Sequence, residues 1–451
     1  LIWAEDDAEA PSPESAKRIM SRTLVYDLSR LVTRVLHATP NGIDRVDLML
    51  ARHFLLHGAF KTQALGLGFT GPRLIPDRIS RGAAERVAAA WREHAVESAG
   101  SRGYEVLVAR LRGENPPHGG GASRLVIPRP RRALHIAHAL LRHLPPGGKT
   151  PVRSAPRGAI YFNASHFPLE WKRHVAWLDE RRDVAPVFWI HDLLPIDRPD
   201  WFWGREPALH QTRIELLARR GAAAIVAGAS VESRLRWHLE RLGRPDLPIF
   251  RLRPPTDALF GRPARFDARL ADLPYFIVCG TIEPRKNHLL LLRVWRDLVS
   301  RYGRDAPKLV VVGKRGWNCA EIVAALEDEA LSGHVFEVAG LPTPDYKRLL
   351  DHSRALLAPS LAEGFGFPVA EALASGVPVV ASDIAPFREQ GDEGAIHLDP
   401  LSDEAWRRAI ADLAFAGAKT PSERHESIAV EPEMENLRLG KLDEFLRRLA
   451  P

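Results

Sequence analysis

Residues 363–371, EGFGFPVAE, set two carboxylates eight positions apart around a glycine-rich turn. The flanking runs ALLAPS (355–360) and VPVVAS (377–382) read as strands. PVAEALAS (368–375) reads as a short helix that Pro368 opens at its first position and Gly376 stops. Gly364 and Gly366, with Phe365 between them, let backbone approach a ligand closely. A helix start offers unpaired N–H groups and a partial positive charge, which suits a phosphate. Glu363 precedes that start and Glu371 lies about one turn inside it, so both can line one pocket without touching. With phosphate on the helix end, a carboxylate is free to accept hydrogen bonds from hydroxyl groups, and sugars supply these. The chemistry indicated is the holding of a nucleotide sugar, one glutamate on the ribose and one on the transferred sugar. Solvated glutamates explain most pairs at this spacing. The glycine loop, the capped helix and the flanking strands favour the functional reading here.

The elements around this loop alternate. TLVYDLS (23–29), TQALGLGF (62–69), AIYFN (159–163), VFWI (187–190), AAIVAG (223–228) and PIFRL (248–252) read as strands. VDLMLARHFLLHG (46–58) and AAERVAAAWREHAVES (83–98) have helical spacing. The stretch 253–274 holds four prolines and weak periodicity, as a linker does. A second series follows: YFIVCG (275–280), KLVVVG (308–313), VFEVAG (335–340), 355–360, 377–382 and AIHLD (395–399). Several of these runs are uniformly apolar, the pattern of parallel strands covered on both faces. The expectation is an α/β chain of two Rossmann-like halves, with ligands beyond the carboxyl ends of the strands. Two such edges facing each other make a central cleft.

The 451 residues carry a formal net charge of +7 and a pI near 9.6. A basic chain favours anionic partners, although the dominance of Arg over Lys also fits codon bias. Between Asn115 and Leu169 there is no Asp or Glu. Within that stretch, RRALHIAHALLRHL (131–144) forms an amphipathic pattern with Arg and His around an apolar stripe. Segment 124–158 therefore suits an anionic membrane surface, or an ordinary helix packed on the sheet with its arginines in water. Aromatic residues do not interleave with the basic ones, so no nucleic-acid partner is expected. Two cysteines, Cys279 and Cys319, give no disulfide framework and point to a reducing, cytoplasmic setting. No signal peptide and no run of 18 apolar residues is present, so the expected place is the cytoplasm or, peripherally, the inner membrane face. Residues 1–19 are acidic, proline-bearing and without periodicity, and read as a tail outside the fold.

Glu363-GFGFPVA-Glu371 followed by ASGVPVVASD resembles the E-x7-E motif of retaining glycosyltransferases of family GT4, with the GT-B fold. GTIEPRKNHLLLL (280–292) resembles the phosphate-binding segment of that family, HDLLPIDRPDWF (191–202) its His-Asp loop, and NGIDRVDLMLARHFL (41–55) its first glycine-bearing loop. The combination is most similar to bacterial exopolysaccharide and O-antigen transferases, many of them mannosyltransferases. The likeness spans about 20–450 and is specific in the C-terminal half. It implies Lys286 on the donor pyrophosphate with Arg285 as helper, Glu363 orienting the transferred sugar, Glu371 on the ribose, and His191 beside the transferred sugar as hydrogen-bond partner or charge stabiliser. Gly42 would bring backbone N–H groups to the donor phosphate or the acceptor. Asp192, in the His-Asp loop, and Asn163, after another strand end, are expected to touch acceptor or donor. This chain has Thr281 where many relatives have Arg, which places more charge work on Arg285 and Lys286. GT-B enzymes stabilise the leaving diphosphate with basic side chains and the helix end. No Asp-x-Asp motif stands beside a strand end, so neither metal nor cofactor is expected.

The domain expectation is an acceptor unit over 20–255 with the basic segment 115–158, a linker over 256–272, a nucleotide-sugar unit over 273–430, and a last helix in 431–451 crossing back. The expected reaction moves a hexose, by resemblance mannose from GDP-mannose, to a glycan or lipid-linked acceptor. The rivals are a GT-B phosphorylase or epimerase, which would turn over without an acceptor sugar, and a non-catalytic sugar-nucleotide-binding subunit of a polysaccharide assembly complex.

Overall fold

The computed structural model of the chain describes residues 22–34, 40–57, 60–68, 71–76, 79–82, 84–89, 101–114, 124–126, 149–415 and 432–449. The expected tail at 1–19 and the basic amphipathic helix at 131–144 lie outside these. The strands are β1 (Thr23–Asp27), β2 (Lys61–Gly66), β3 (Arg73–Ile75), β4 (Arg124–Val126), β5 (Ile160–Asn163), β6 (Ala185–Ile190), β7 (Ala223–Val226), β8 (Ile249–Arg251), β9 (Tyr275–Cys279), β10 (Lys308–Val312), β11 (Val335–Ala339), β12 (Leu356–Ala358), β13 (Val379–Ser382) and β14 (Ala395–Leu398). They form two seven-stranded sheets, ordered β3-β2-β1-β5-β6-β7-β8 and β14-β13-β12-β9-β10-β11-β4. Every pairing is parallel except that of β2 with β3. The architecture is GT-B: two Rossmann-like units whose strand ends meet at a cleft. The uniformly apolar strands owe this arrangement to burial on both faces, and β1, β5, β6, β7 and β11 are buried at every position.

The helices that matter for the cleft are α1 (Gly42–Arg52), α2 (Arg102–Leu111), α3 (Ala229–Arg241), α4 (His288–Tyr302), α5 (Phe367–Ala374), α6 (Ala385–Arg388) and α7 (Pro432–Arg448). Helix α1 opens on a reciprocal cap: Asp44 N donates to Asn41 Oδ1 at 2.9 Å and Asn41 N to Asp44 Oδ2 at 3.0 Å. Asp44 is buried and takes Arg30 at 2.8 Å and Arg34 at 3.1 Å. On α7, Leu439, Leu442 and Leu446 are buried in the core of the first unit, followed by Leu449. Each such leucine contributes roughly 1.5–3 kcal/mol, which ties the chain end firmly back across the cleft.

The expected first unit of 20–255 needs one correction. Residues 101–114 and 124–126 pack on the second unit. Tyr104, Leu107, Val108 and Leu111 of α2 share a core with Tyr275, Ile277, Val338 and Leu349. Tyr104 Oη donates to Asp267 Oδ2 at 2.9 Å, and Ser101 Oγ to Asp345 Oδ2 at 2.7 Å. Strand β4, inside the basic segment, then pairs with β11 and covers the edge of the second sheet. An amphipathic helix fits either sheet, and position before the linker does not decide which. Among the described residues no helix is long and apolar enough to cross a membrane.

Candidate functional site

Strand β12 delivers the loop 361–365 to the cleft, and α5 leaves it. Gly366 is the N-cap at φ +85°, a conformation open to glycine. Phe367 is therefore the first helical residue, and Pro368 falls at the second position rather than the expected first. The loop is fixed from two sides. Leu361 N donates to Arg285 O at 2.8 Å, and Gln390 Nε2 donates to Phe365 O.

Glu363 sits in a nest of donors. Its Oε2 accepts from Arg285 Nη1 at 2.7 Å, and its Oε1 accepts from Lys286 Nζ and from Ser360 Oγ at 2.9 Å. The side chain is 7% exposed. Burial pushes its carboxyl up, but Arg285 and Lys286 outweigh that and hold it at about 2. The two cations come from the turn Pro284–Lys286 at the carboxyl end of β9, just before α4. Arg285 also pairs with buried Glu283 at 2.7 Å. Burial alone would depress the Arg285 guanidinium, yet Glu363, Glu283 and Asp192 push it up. Asp192 thus faces Arg285 from the other unit. Cys279, Ser360, Gly366 and Pro368 line a pocket with Lys286 and Glu363.

Glu371, 2% exposed, accepts from Arg45 Nη1 of α1. Burial raises its carboxyl, and Arg45 pulls the other way without cancelling that. The two glutamates of the loop are therefore held in opposite electrostatic environments, one clamped ionised and one raised. Beneath Glu371, burial and the Glu371 charge push the Cys279 thiol up to about 12, so it is no nucleophile.

Two glycines let the units touch. A Cβ on Gly364 would lie 2.4 Å from His191 O, and one on Gly42 would lie 2.5 Å from the Phe367 ring. Sequence expectation gave Gly42 a role toward donor or acceptor; in this structure its open face is filled by Phe367. Further along the cleft, Trp317 Nε1 donates to Trp201 O at 2.6 Å.

His191 stands at the end of β6, and its Nε2–H donates to Ala164 O at 2.8 Å. Burial lowers its pKa to about 3, so the imidazole is neutral. Of the two roles the resemblance implies, hydrogen bonding fits a neutral ring and charge stabilisation does not. Asn163 is not brought to the pocket. It is fully buried, donating to Asp27 Oδ2 at 3.2 Å and Phe167 O at 2.9 Å while accepting from Ser165 N at 3.1 Å. Its amide ties β1 to the turn at 165–167. Thr281 packs against Gly316. Arg45 and Ser360 were missed by sequence reasoning. Arg45 lay inside the quoted NGIDR, but its partner is 326 positions away. Among the described residues, no cluster of three or more His, Cys, Asp or Glu could hold a metal ion.

The comparisons with known proteins converge on this half of the chain. Residues 264–421 match the family model described as "Glycosyl transferases group 1". Over 255 residues the chain is 32% identical to the serotype-specific mannosyltransferase WbdA of Escherichia coli, covering 53% of this chain and 31% of that protein. It is 30% identical over 164 residues to the O-antigen chain mannosyltransferase B of Escherichia coli, covering 34% and 43%. The O-antigen chain mannosyltransferase RfbU of Salmonella typhimurium is 31% identical over 142 residues, covering 31% and 38%. The chain thus spans less than half the length of each of these three relatives. A crystal structure of Anabaena Alr3699/HepE in complex with UDP aligns over 94% of this chain and 99% of that one, with a TM-score of 0.55 at 14% identity. That likeness is one of fold, and it extends across both units.

Proposed function

We propose that the protein is a retaining glycosyltransferase of surface-polysaccharide synthesis, moving a hexose from a nucleotide sugar to a glycan acceptor. The observation that carries this reading is the nest of Lys286, Arg285 and Ser360 around Glu363, beside the start of α5. Two cations, a helix end and a fixed carboxylate suit a sugar diphosphate, in which charge develops on the leaving phosphate and hydroxyls need an acceptor. The mannosyltransferases among the relatives favour mannose, with GDP-mannose as donor.

In this reading Lys286 and Arg285 take the leaving diphosphate, and no metal is required. Glu363 then gives up one cation and orients the transferred sugar. Glu371 accepts from the ribose hydroxyls. His191, neutral, offers a hydrogen bond beside the sugar. Closure of the cleft brings the acceptor hydroxyl to the anomeric carbon. The acceptor oxygen bonds to that carbon on the face the diphosphate leaves, and the departing phosphate oxygen takes the hydroxyl proton. A lipid-linked acceptor at the inner membrane face is the partner we favour, with segment 124–158 as the contact. Flotation of the protein with anionic liposomes tests that contact, and Arg131→Gln with Arg132→Gln should weaken it.

The test of the activity is product formation from GDP-mannose and an oligomannose acceptor. The anomeric configuration of the new bond is read by NMR. Transfer with retention is expected. Phosphate-dependent turnover with no acceptor sugar would instead favour the phosphorylase reading.

A further inference from the structure

A second cavity, open to solvent and about 420 Å³ in volume, lies where the two units meet beside α7. It shares no lining residue with the pocket of Lys286 and Glu363. Gly364 and Phe365 form part of its wall, while Glu363 and Gly366 line the other pocket. The loop is thus a partition between two cavities. Four cationic residues line the second: Arg251 and Arg253 at the end of β8, and Arg438 and Lys441 on α7. Arg251 pairs with Glu232 at 2.9 Å. Glu389, the one carboxylate in the wall, accepts from Ser230 N at 2.7 Å near the start of α3. Among the described residues Arg253 makes one long contact, from Nη2 to Gln390 O at 3.4 Å. Among the described residues no carboxylate pairs with Arg253, Arg438 or Lys441. Burial lowers the Arg253 pKa, and the neighbouring Arg438 charge lowers it further. Two half-buried guanidinium groups of the cavity wall therefore repel each other.

We propose that this cavity binds a phosphate-bearing ligand, clamped by Arg253 and Arg438 with Lys441 at the rim. Glu232 and Glu389 offset two of the four cations, and the remaining surplus matches the roughly −2 charge of a phosphate group at neutral pH. Planar guanidinium forks suit phosphate oxygens in bidentate fashion. The phosphate comes either from the acceptor, in which case the proposal rests on the transferase reading, or from a free phosphate compound. In both cases the ligand touches Phe365 and so acts on the loop that carries Glu363.

The probe is inorganic pyrophosphate, titrated calorimetrically into the full chain at constant ionic strength. The Lys286 pocket is first saturated with a nucleoside diphosphate. Pyrophosphate is expected to bind still, and Arg253→Gln with Arg438→Gln to weaken it at least tenfold while the nucleoside diphosphate affinity moves less than twofold. Lys441→Gln, an exposed change that spares the fold, should weaken pyrophosphate several-fold. Binding that disappears once the nucleoside diphosphate is in place, or that is equal in the double variant, overturns the proposal. Failure of any nucleoside diphosphate to bind contradicts the transferase reading instead, and the arginine variants still decide the cavity. Initial rates separate the sources. If only transfer to a prenyl-pyrophosphate-linked acceptor slows in the double variant, and transfer to a phosphate-free oligosaccharide does not, the phosphate is the acceptor's. If pyrophosphate binding is lost and both rates hold, the ligand is a free phosphate compound.

Discussion

Arg45 of the first unit donates its Nη1–H to Glu371 of the second, so a guanidinium already holds the carboxylate proposed for the donor ribose. Ribose hydroxyls must compete with a guanidinium for that oxygen. Glu371→Ala should weaken donor binding and activity at least tenfold, about 1.4 kcal/mol or more. Wild type should prefer a ribonucleoside diphosphate to its 2′,3′-dideoxy analogue, and the variant should lose that preference. Arg45→Gln should improve the ribonucleoside diphosphate several-fold and leave the dideoxy analogue unmoved. Equal affinities in all three proteins would remove Glu371 from the ribose.

Glu363 makes a prediction in pH. Its pKa is held at about 2 against an ordinary value of 4.5, so its contribution to stability is complete above about 4.5 and is lost as pH falls toward 2. The contribution is on the order of 3 kcal/mol, undiscounted because the group is 7% exposed. Wild type should lose thermal stability steeply between pH 4.5 and 2. Glu363→Gln should start lower at pH 7 and approach wild type near pH 2. Parallel curves for the two proteins would show that the Lys286–Glu363–Arg285 nest adds nothing to folding.

His191, neutral down to about pH 3, should leave no mark on the pH profile of kcat between 5 and 8. His191→Ala should lower kcat at least tenfold through the lost hydrogen bond and leave the profile unmoved. A limb near pH 6 that vanishes in the variant would mean that a protonated imidazole takes part.

Gly42 and Phe367 test closure. The methyl of Gly42→Ala would fall 2.5 Å from the Phe367 ring, so the units must separate or the ring must turn. Activity should fall more than tenfold, with a larger radius of gyration in solution scattering. Adding Phe367→Leu should restore both. A Gly42→Ala protein of unchanged activity would show that this contact is not part of the working state.

Much of this architecture was legible because both-face burial writes itself into sequence. Runs such as LVY, LVVV and VVA are continuously apolar, and each lies within a parallel strand. The E-x7-E loop was legible for a similar local reason: glycines, a proline and a strand lie within a few residues of the glutamates. Strands β3 and β4 were not foreseen, being three residues long and at sheet edges, where pairing rather than pattern defines them. The home of α2 was misjudged because its apolar face carries no label for either sheet. Arg45 escaped because helix α1 accounts for its spacing fully, and only the packing of the two units gives it Glu371. Asn163 misled in the other direction: the end of a strand can point into a buried network as readily as into a pocket.

The central claim is that the Lys286–Glu363 pocket holds a nucleotide sugar without a metal. It is tested most directly by a panel of nucleotide sugars with EDTA present, read by thermal shift and by slow donor hydrolysis. One donor, GDP-mannose in this account, should stabilise the protein and be hydrolysed above the rest, and both signals should vanish in Lys286→Ala. A wild-type protein that binds no nucleotide sugar and no nucleoside diphosphate, or binds them equally well without Lys286, would contradict the account.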